Sequence, residues 1–237
     1  MVPLIGSRHG SIVRANAEPR EKPAVLIANI SPRSMGKTTD TGFMAHALHE
    51  AGYPVRAWDA DESQHLTQWS EAAGGFPFPV GKNATATFAT DIERLKGGID
   101  IVDVGHTENH PHIADSVLKI ADLAILHMEP SMADWQRVTK PRTSTPVADI
   151  VARSAFARPG RQAPPLWVLF NRVRTGVRSA REIRDMMRET GWNVFTVMIP
   201  VRDDIKQATA FPVERAANGP FGELVTEMEA KGLIKHG

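Results

Sequence analysis

The chain has 237 residues, which suits one α/β-sized domain with a short extension. Its 28 Lys and Arg residues almost balance its 27 Asp and Glu residues, so no global field draws it onto nucleic acid or lipid. The chain has no cysteine, which excludes disulfides and thiolate chemistry and fits a cytoplasmic location. No apolar run approaches the roughly 20 residues that a membrane span needs.

The predicted elements begin after a polar N-terminal stretch without the apolar core of a signal peptide. We expect residues 1–22 to be a flexible tail and residues 23–237 to form the folded domain. Short apolar runs predict strands at 24–30, 54–59, 76–80, 98–104, 122–128, 165–171 and 193–200. Helical patterns lie between them, at 38–51, 65–73, 87–96, 112–121, 147–157, 179–191, near 205 and at 221–231.

The order of these elements predicts the fold class. Strands that alternate with helices form βαβ units, so we expect an α/β fold with a mainly parallel central sheet flanked by helices on both faces. Pro77 and Pro79 remove two backbone donors, which places the strand at 76–80 at an edge of that sheet. Ligands of such sheets bind outside the carboxyl ends of the strands, where most of the motifs below occur.

The segment SPRSMGKTT, residues 31–39, follows the first predicted strand and leads into the first helix. Gly36, Lys37 and Thr38 match the end of the phosphate-loop pattern G-x-x-x-x-G-K-[ST], whose backbone and lysine bind phosphates and whose hydroxyl holds Mg²⁺. Ser31 stands where the pattern has its first glycine. The competing interpretation is an ordinary helix start with Thr38 as N-cap.

Three carboxylates follow later strands. Asp59 and Asp61 come at the end of the second strand, and Asp103 ends the strand GIDIVDV. A carboxylate there can hold Mg²⁺ through water, as phosphoryl-transfer sites require. Each Asp alone could equally be a turn or a helix cap, but together with GKTT they favour a nucleotide site.

These stretches resemble the ParA/MinD family of deviant Walker-A P-loop ATPases. The resemblance runs from residue 24 to about 233 and rests on MGKTT, HALHEAGYPVRAWDADESQ, IDIVDVG, ADLAILHMEPS, WVLFNRV and VMIPVRDDIKQA. It implies a three-layer P-loop NTPase fold, ATP and Mg²⁺ as cofactors, and an ATP-dependent homodimer that works with a small DNA-binding adaptor protein. The size and the DAD motif followed by Gln64 resemble plasmid partition or stability proteins, of which the StbB-like proteins are one branch.

The resemblance also implies roles for individual residues. In the loop it implies phosphate contacts from Ser34, Met35, Gly36, Lys37, Thr38 and Thr39, with Lys37 on the β/γ-phosphates and Thr39 on the α-phosphate. The metal would be held by Thr38 and Asp103, with Asp59 nearby, while Asp61 orients the attacking water. The base would be held by Asn171 and by the loop that contains Pro200 and Arg202.

The chain departs from the family in the loop itself. The family pattern is Lys-Gly-Gly-x-Gly-Lys-Thr, and Pro32 occupies the position of its signature lysine. Arg33 and Ser34 occupy the two early glycine positions, and Pro32 has no N–H for a phosphate. Two interpretations remain open: Arg33 takes over the catalytic work of the lysine, or the chain is an adaptor that binds nucleotide and hydrolyses it slowly or not at all. A small-molecule ligase or kinase of the dethiobiotin synthetase type is a third candidate, against which DADESQ argues.

Two further stretches attract attention. HTENHPH contains side chains that could ligate a metal, although a polar switch loop after Asp103 is the simpler interpretation. Between Arg137 and Arg188 the sequence is rich in cations: Lys140, Arg142, Arg153, Arg158, Arg161, Arg172, Arg174, Arg178, Arg181 and Arg184. This region either binds DNA phosphates without reading sequence or is a solvated helix face. The C-terminal helix is not strongly basic, so a membrane-binding helix is not expected.

Overall fold

The computed structural model describes residues 24–174, 176 and 178–235, so the tail expected at 1–22 lies outside the described part. The described chain contains a seven-stranded sheet in the order β3-β2-β4-β1-β5-β6-β7. Its strands are β1 (Val25–Ile30), β2 (Val55–Ala60), β3 (Val80–Lys82), β4 (Ile99–Val104), β5 (Leu123–Met128), β6 (Leu166–Val173) and β7 (Asn193–Pro200). Every neighbouring pair is parallel, which confirms the predicted fold class.

The helices cover both faces of the sheet. They are α1 (Lys37–Glu50), α2 (His65–Ala72), α3 (Phe88–Asp91), α4 (Pro111–Leu118), α5 (Met132–Thr139), α6 (Val147–Ser154), α7 (Arg178–Glu189), α8 (Asp203–Gln207) and α9 (Pro220–Ala230). Helices α1, α2, α8 and α9 pack with one apolar cluster and α3 to α7 with the other. Successive side chains of a strand point to opposite faces of the sheet and so pack into different clusters: Ile27 belongs to the first cluster, and Leu26 and Ala28 belong to the second. No helix in the described residues is both long and apolar enough to cross a membrane.

Two predicted elements were wrong in detail, and one helix was missed. The edge strand expected at 76–80 forms only at Val80–Lys82, because Phe76 and Phe78 instead pack their rings against His46. The helix expected at 87–96 ends at Asp91, where Ile92 turns to extended backbone. The short helix α5 was not predicted at all.

The missed helix carries a local signal. The Ser131 side chain accepts a hydrogen bond from the N–H of Asp134 at 3.1 Å, which is an N-cap. The sequence SMAD therefore contained the start of α5, but its short apolar stripe left no strong helical period.

Candidate functional site

The loop between β1 and α1 leaves the amino end of α1 without a capping side chain. Gly36 is the N-cap residue, with φ of 78°, and no side chain caps the helix. A Cβ at Gly36 would lie 2.6 Å from Asn171 Nδ2, so a glycine is required by both backbone angle and space. The interpretation of Thr38 as the N-cap was wrong. The uncapped N–H groups of α1 form a natural anion site.

A cavity of about 360 Å³, here called the phosphate pocket, lies over this helix end. It is lined by Ser34, Met35, Gly36, Lys37, Thr38, Thr39, Asp61, Glu62, Ser63, His65, His106, His110 and Arg172. The structure thus brings the loop residues and Asp61 together, as the sequence motifs predict. Asp59 and Asp103 lie beneath the pocket as register partners on β2 and β4.

Lys37 does not point freely into the pocket. Its ammonium forms an ion pair with Asp103 Oδ1, and the two side chains are only 3% and 1% exposed. The second oxygen, Asp103 Oδ2, is buried and finds no hydrogen-bond partner in the described residues. A buried carboxylate oxygen without a partner fits a site that takes a cation or its water ligand.

The side chain of Asp59 is held by its own neighbours. Asp59 Oδ2 accepts hydrogen bonds from Thr67 N at 2.9 Å and Thr67 Oγ1 at 3.0 Å. Burial raises the pKa of Asp59, and the nearby charge of Asp103 adds to this rise although the bonds from Thr67 oppose it. Asp59 therefore lies below the phosphate pocket and does not line it.

Asp61 lies half-buried in the wall of the phosphate pocket. Asp61 Oδ1 accepts hydrogen bonds from Ser63 N at 3.0 Å and Ser63 Oγ at 2.9 Å. Burial alone would raise its pKa, but the bonds from Ser63 and the charge of Lys37 outweigh burial and lower it. Asp61 is therefore ionised at neutral pH and can accept a hydrogen bond from a donor such as water.

Arg33 lies outside the phosphate pocket. Its side chain is 57% exposed, and its Nε lies 3.7 Å from Glu108 Oε2 in a loose ion pair. Pro32 is buried, while the backbone of residues 33 and 34 runs along the surface. The position of Arg33 gives no support to its replacing the lysine of a phosphate loop.

A second cavity, here called the base pocket, adjoins the first and measures about 490 Å³. It is lined by Gly36, Thr39, Asp40, Glu129, Asn171, Arg172, Arg174, Ile199, Pro200, Val201, Arg202, Ile205 and Lys206. Asn171, Pro200 and Arg202 are brought together there, as the resemblance implies. The apolar residues from β7 and α8 provide one wall, and cations provide much of the rim.

Asn171 is turned into the protein. Its Nδ2 donates to Met35 O at 2.6 Å and to Asp40 Oδ2 at 2.6 Å, and its Oδ1 is buried without a hydrogen-bond partner in the described residues. The amide nitrogen thus stabilises the phosphate loop. Only the oxygen remains available to the amino group of a base.

A buried polar network supports this arrangement, and sequence reasoning did not predict it. His127 on β5 contacts Asp40 Oδ2 through Nδ1 and Asn29 Oδ1 through Nε2, each at 2.8 Å. All three residues are almost fully buried. The only sequence signals were a histidine inside an apolar strand and an aspartate in the first turn of a helix, and neither identifies its partner.

The HTENHPH loop contributes His106 and His110 to the wall of the phosphate pocket. Burial and the charge of Lys37 lower the pKa of His106, which favours its neutral form. His110 Nδ1 lies 3.3 Å from Glu62 Oε1. Within the described residues, no group of three or more His, Asp or Glu side chains is arranged to hold a metal ion.

The cationic stretch from Arg137 to Arg188 does not form one patch. Arg153 pairs with Asp115 at 2.8 Å, and Arg158 donates to the carbonyls of Leu118 and Ala121 near the amino ends of the strands. Arg172 and Arg174 lie at the opposite side, near the carboxyl ends of the strands, and line the base pocket. The cations are therefore divided between the amino and the carboxyl ends of the strands.

Comparison with known proteins supports the fold. No protein-family model matches the chain, and no curated protein matches it significantly. Among solved structures, an McdA variant from Cyanothece in complex with ATP is 14% identical, with 91% of this chain and 99% of that chain covered and a TM-score of 0.65. A putative plasmid partition protein from Borrelia burgdorferi B31, bound to AMPPNP, is 12% identical, with 89% of this chain and 100% of that chain covered and a TM-score of 0.64.

The same fold also occurs in an enzyme of another kind. A cobyrinic acid a,c-diamide synthase from Mycobacterium smegmatis with bound ADP and magnesium is 13% identical, with 88% and 96% of the chains covered and a TM-score of 0.61. At these identities the likeness shows the fold. The chain has the three-layer α/β fold that these proteins share, as its motifs predicted.

Proposed function

We propose that this protein binds Mg-ATP and acts as a ParA-like ATPase that positions, partitions or stabilises plasmid DNA. The observation that carries the proposal is the phosphate pocket. It combines the uncapped amino end of α1, Lys37 and Asp61 above the buried carboxylates of β2 and β4. An uncapped helix end with a lysine recognises phosphate, and carboxylates at the ends of neighbouring strands suit a divalent cation.

The residues divide the chemistry among themselves. Lys37 would contact the terminal phosphates, and the N–H groups of α1 and residues 34–39 would enclose them. Thr38 Oγ1 and Asp103 would hold Mg²⁺, with Asp59 fixed below them. When bound by these residues, Mg²⁺ would supply positive charge beside the phosphates. Asp61 would orient the attacking water, since it is ionised and lies in the pocket wall.

The base pocket completes a nucleotide-sized site. Asn171 Oδ1 is free to accept a hydrogen bond from the amino group of adenine, and the wall that includes Pro200 suits the flat face of a base. Arg202 lies on the rim, paired with Asp204. Two adjoining cavities that share Gly36, Thr39 and Arg172 therefore suit the two ends of one nucleotide.

The rest of the proposal concerns partners. By resemblance, we infer an ATP-dependent homodimer that works with a small DNA-binding adaptor and contacts DNA without sequence preference. Exposed cations near the carboxyl ends of β6 and β7 support the last point, because Arg174, Arg178 and Arg181 line a third cavity there.

One alternative rests on a specific observation. Pro32 and Arg33 replace groups that would enclose the phosphates, and Arg33 does not line the pocket. A loop with fewer phosphate contacts favours a nucleotide-binding adaptor with little or no turnover. The ligase candidate keeps the same fold, but it requires a second substrate for turnover.

The test measures binding and turnover separately. Calorimetry with Mg-ATP should show binding by the wild type and its loss in Lys37→Ala, while Lys82→Ala, an exposed lysine on β3, should bind normally. Phosphate release, with and without DNA, then separates ATPase from adaptor. Equal affinity of Lys37→Ala and wild type would overturn the proposal, and hydrolysis that needs an added small molecule would favour the ligase.

A further inference from the structure

Strand β6 ends in an irregularity that changes the direction of two side chains. Its pairing with β7 shifts between Phe170 and Val173, where one strand has a residue more than the other. Asn171 turns inward and is buried, whereas Arg172 turns outward with φ of 51°. A positive φ is uncommon for arginine and costs free energy, and bulges that re-aim a side chain occur often beside functional sites.

The bulge places Arg172 between the two cavities. Arg172 lines both the phosphate pocket and the base pocket. Its Nε lies 3.4 Å from the point where a Cβ at Gly36 would be, so the side chain lies over the last glycine of the phosphate loop. With 51% of the side chain exposed, the guanidinium can move towards a ligand in either cavity.

The charge of the phosphate pocket favours a further cation beside a bound phosphate. Lys37 is already neutralised by Asp103, and burial and the charge of Lys37 hold the pKa of His106 low. Asp61 and Glu62 line the same cavity and are negative. Without Arg172, the described lining would meet a polyphosphate with a surplus of negative charge.

Arg172 has a weak partner that a phosphate can displace. Its Nη1 donates a hydrogen bond to Glu129 Oε1 at 3.1 Å, and the two side chains are 51% and 42% exposed. Such exposed pairs contribute little to stability, whereas a guanidinium binds phosphate through two parallel hydrogen bonds. Glu129 therefore keeps Arg172 over the loop until a nucleotide binds.

We propose that Arg172 is the second phosphate ligand of this site and that Glu129 competes with phosphate for it. The inference rests on the proposed nucleotide site and adds a residue of β6 to it. Arg172 supplies from the same chain a cation that the loop at residues 32–34 does not place in the pocket.

The experiment measures the affinity for Mg-ATP, Mg-ADP and adenosine by calorimetry in Arg172→Gln, Arg172→Lys and Glu129→Gln. Loss of a charged bidentate contact should weaken both phosphate-bearing ligands about tenfold or more in Arg172→Gln. Arg172→Lys should lie between this variant and the wild type. Adenosine affinity should not change, and Glu129→Gln should bind ATP more tightly. Arg161→Gln, an exposed arginine near the start of β6, serves as the matched control.

Each result decides the matter. Wild-type ATP affinity in Arg172→Gln overturns the inference, as does weaker binding by Arg33→Gln in its place. If Arg172→Gln does not fold by circular dichroism, Glu129→Gln decides, because unchanged or weaker ATP binding contradicts competition. If the wild type binds no nucleotide, or Lys37→Ala binds equally well, the proposed function fails and this inference fails with it. Loss in Lys37→Ala beside normal binding in Arg172→Gln removes the inference alone.

Discussion

Lys37, the first residue of α1, is paired with Asp103 at the end of β4 in an ion pair that is almost completely buried. The lysine that should contact phosphate is therefore engaged inside the protein. A nucleotide must share Lys37 with Asp103 or draw it away, and a cation bound by the second oxygen of Asp103 would make that exchange easier. Nucleotide and metal binding should therefore be cooperative.

The buried pair predicts a stability effect separate from ligand binding. Lys37→Met leaves the Asp103 carboxylate buried without a counter-charge, which should lower the free energy of unfolding by about 3–5 kcal/mol. Lys37→Met combined with Asp103→Asn should recover most of this loss without restoring nucleotide binding. Urea unfolding of both variants checks the prediction, and a single variant as stable as the double one contradicts it.

Gly36 should be irreplaceable for space as well as for backbone angle. Gly36→Ala puts a methyl group 2.6 Å from Asn171 Nδ2, which should displace Asn171 from Met35 and abolish nucleotide binding. Gly191→Ala is the matched control, since Gly191 has φ of 89° but open space around its Cα. In that control the free energy of unfolding should fall only by the cost of a left-handed backbone at alanine, about 1–2 kcal/mol, and nucleotide should still bind. Equal affinity in the two variants would contradict the role of Asn171.

Asp61 should affect turnover and not binding. Asp61→Asn keeps an oxygen for Ser63 but loses the charge that orients water, so ATP affinity should stay within about twofold while hydrolysis is lost. Single-turnover phosphate release beside calorimetry separates the two effects. A large loss of affinity would instead place Asp61 among the ligands of the nucleotide or its metal. A wild type with no hydrolysis, even with DNA and its partner, supports the adaptor.

Glu227 on α9 should make the stability depend on pH. Its side chain is 12% exposed and accepts hydrogen bonds from Thr196 N at 2.8 Å and Val197 N at 2.9 Å on the edge strand β7. Burial alone would raise the pKa of Glu227, but these N–H groups outweigh burial and lower it. Its stabilisation is therefore complete above the unfolded pKa of about 4.3 and is lost as pH falls through the folded pKa.

Glu227→Gln tests this dependence. The variant should lose about 1–2 kcal/mol at pH 7, and the difference from wild type should shrink towards pH 3. Urea unfolding at several pH values measures it. Glu223→Gln, one turn earlier and exposed, should follow the wild type at every pH. A difference that does not change with pH would assign the effect to packing.

Direct DNA binding should depend on cations near the carboxyl ends of β6 and β7. Reversal of Arg178 and Arg181 to Glu should strongly weaken retention on nonspecific duplex DNA and reduce the salt dependence of the remaining binding, without a change in ATP affinity. Reversal of Lys119 and Arg161, exposed near the amino ends of the strands, is the charge-matched control and should retain DNA binding. If both double variants are retained on DNA like the wild type across a salt series, Arg178 and Arg181 are only a solvated face and do not form the DNA-binding surface.

The sequence by itself determined the strands and the position of the phosphate loop. Parallel strands that are buried on both faces need continuous apolar residues, so runs such as those that became β1 and β5 are visible locally. The run GIDIVDV, which became the fully buried strand β4, follows the same logic. The bounds of the edge strand β3 and of α3 were not predicted correctly from the sequence, because contacts with residues distant along the chain decide where such short elements begin and end.

Only the tertiary structure decided which side chains meet at the site. Lys37 and Asp103 are 66 positions apart, and Asp40 and Asn171 are 131 apart, so their contacts depend on the strand order. One of the two interpretations left open by the sequence made Arg33 the substitute cation, because it lies in the loop. The bulge in β6 points Arg172 at the same loop instead, and no local pattern carries that direction, because one extra residue in a strand reverses the face on which every later side chain lies.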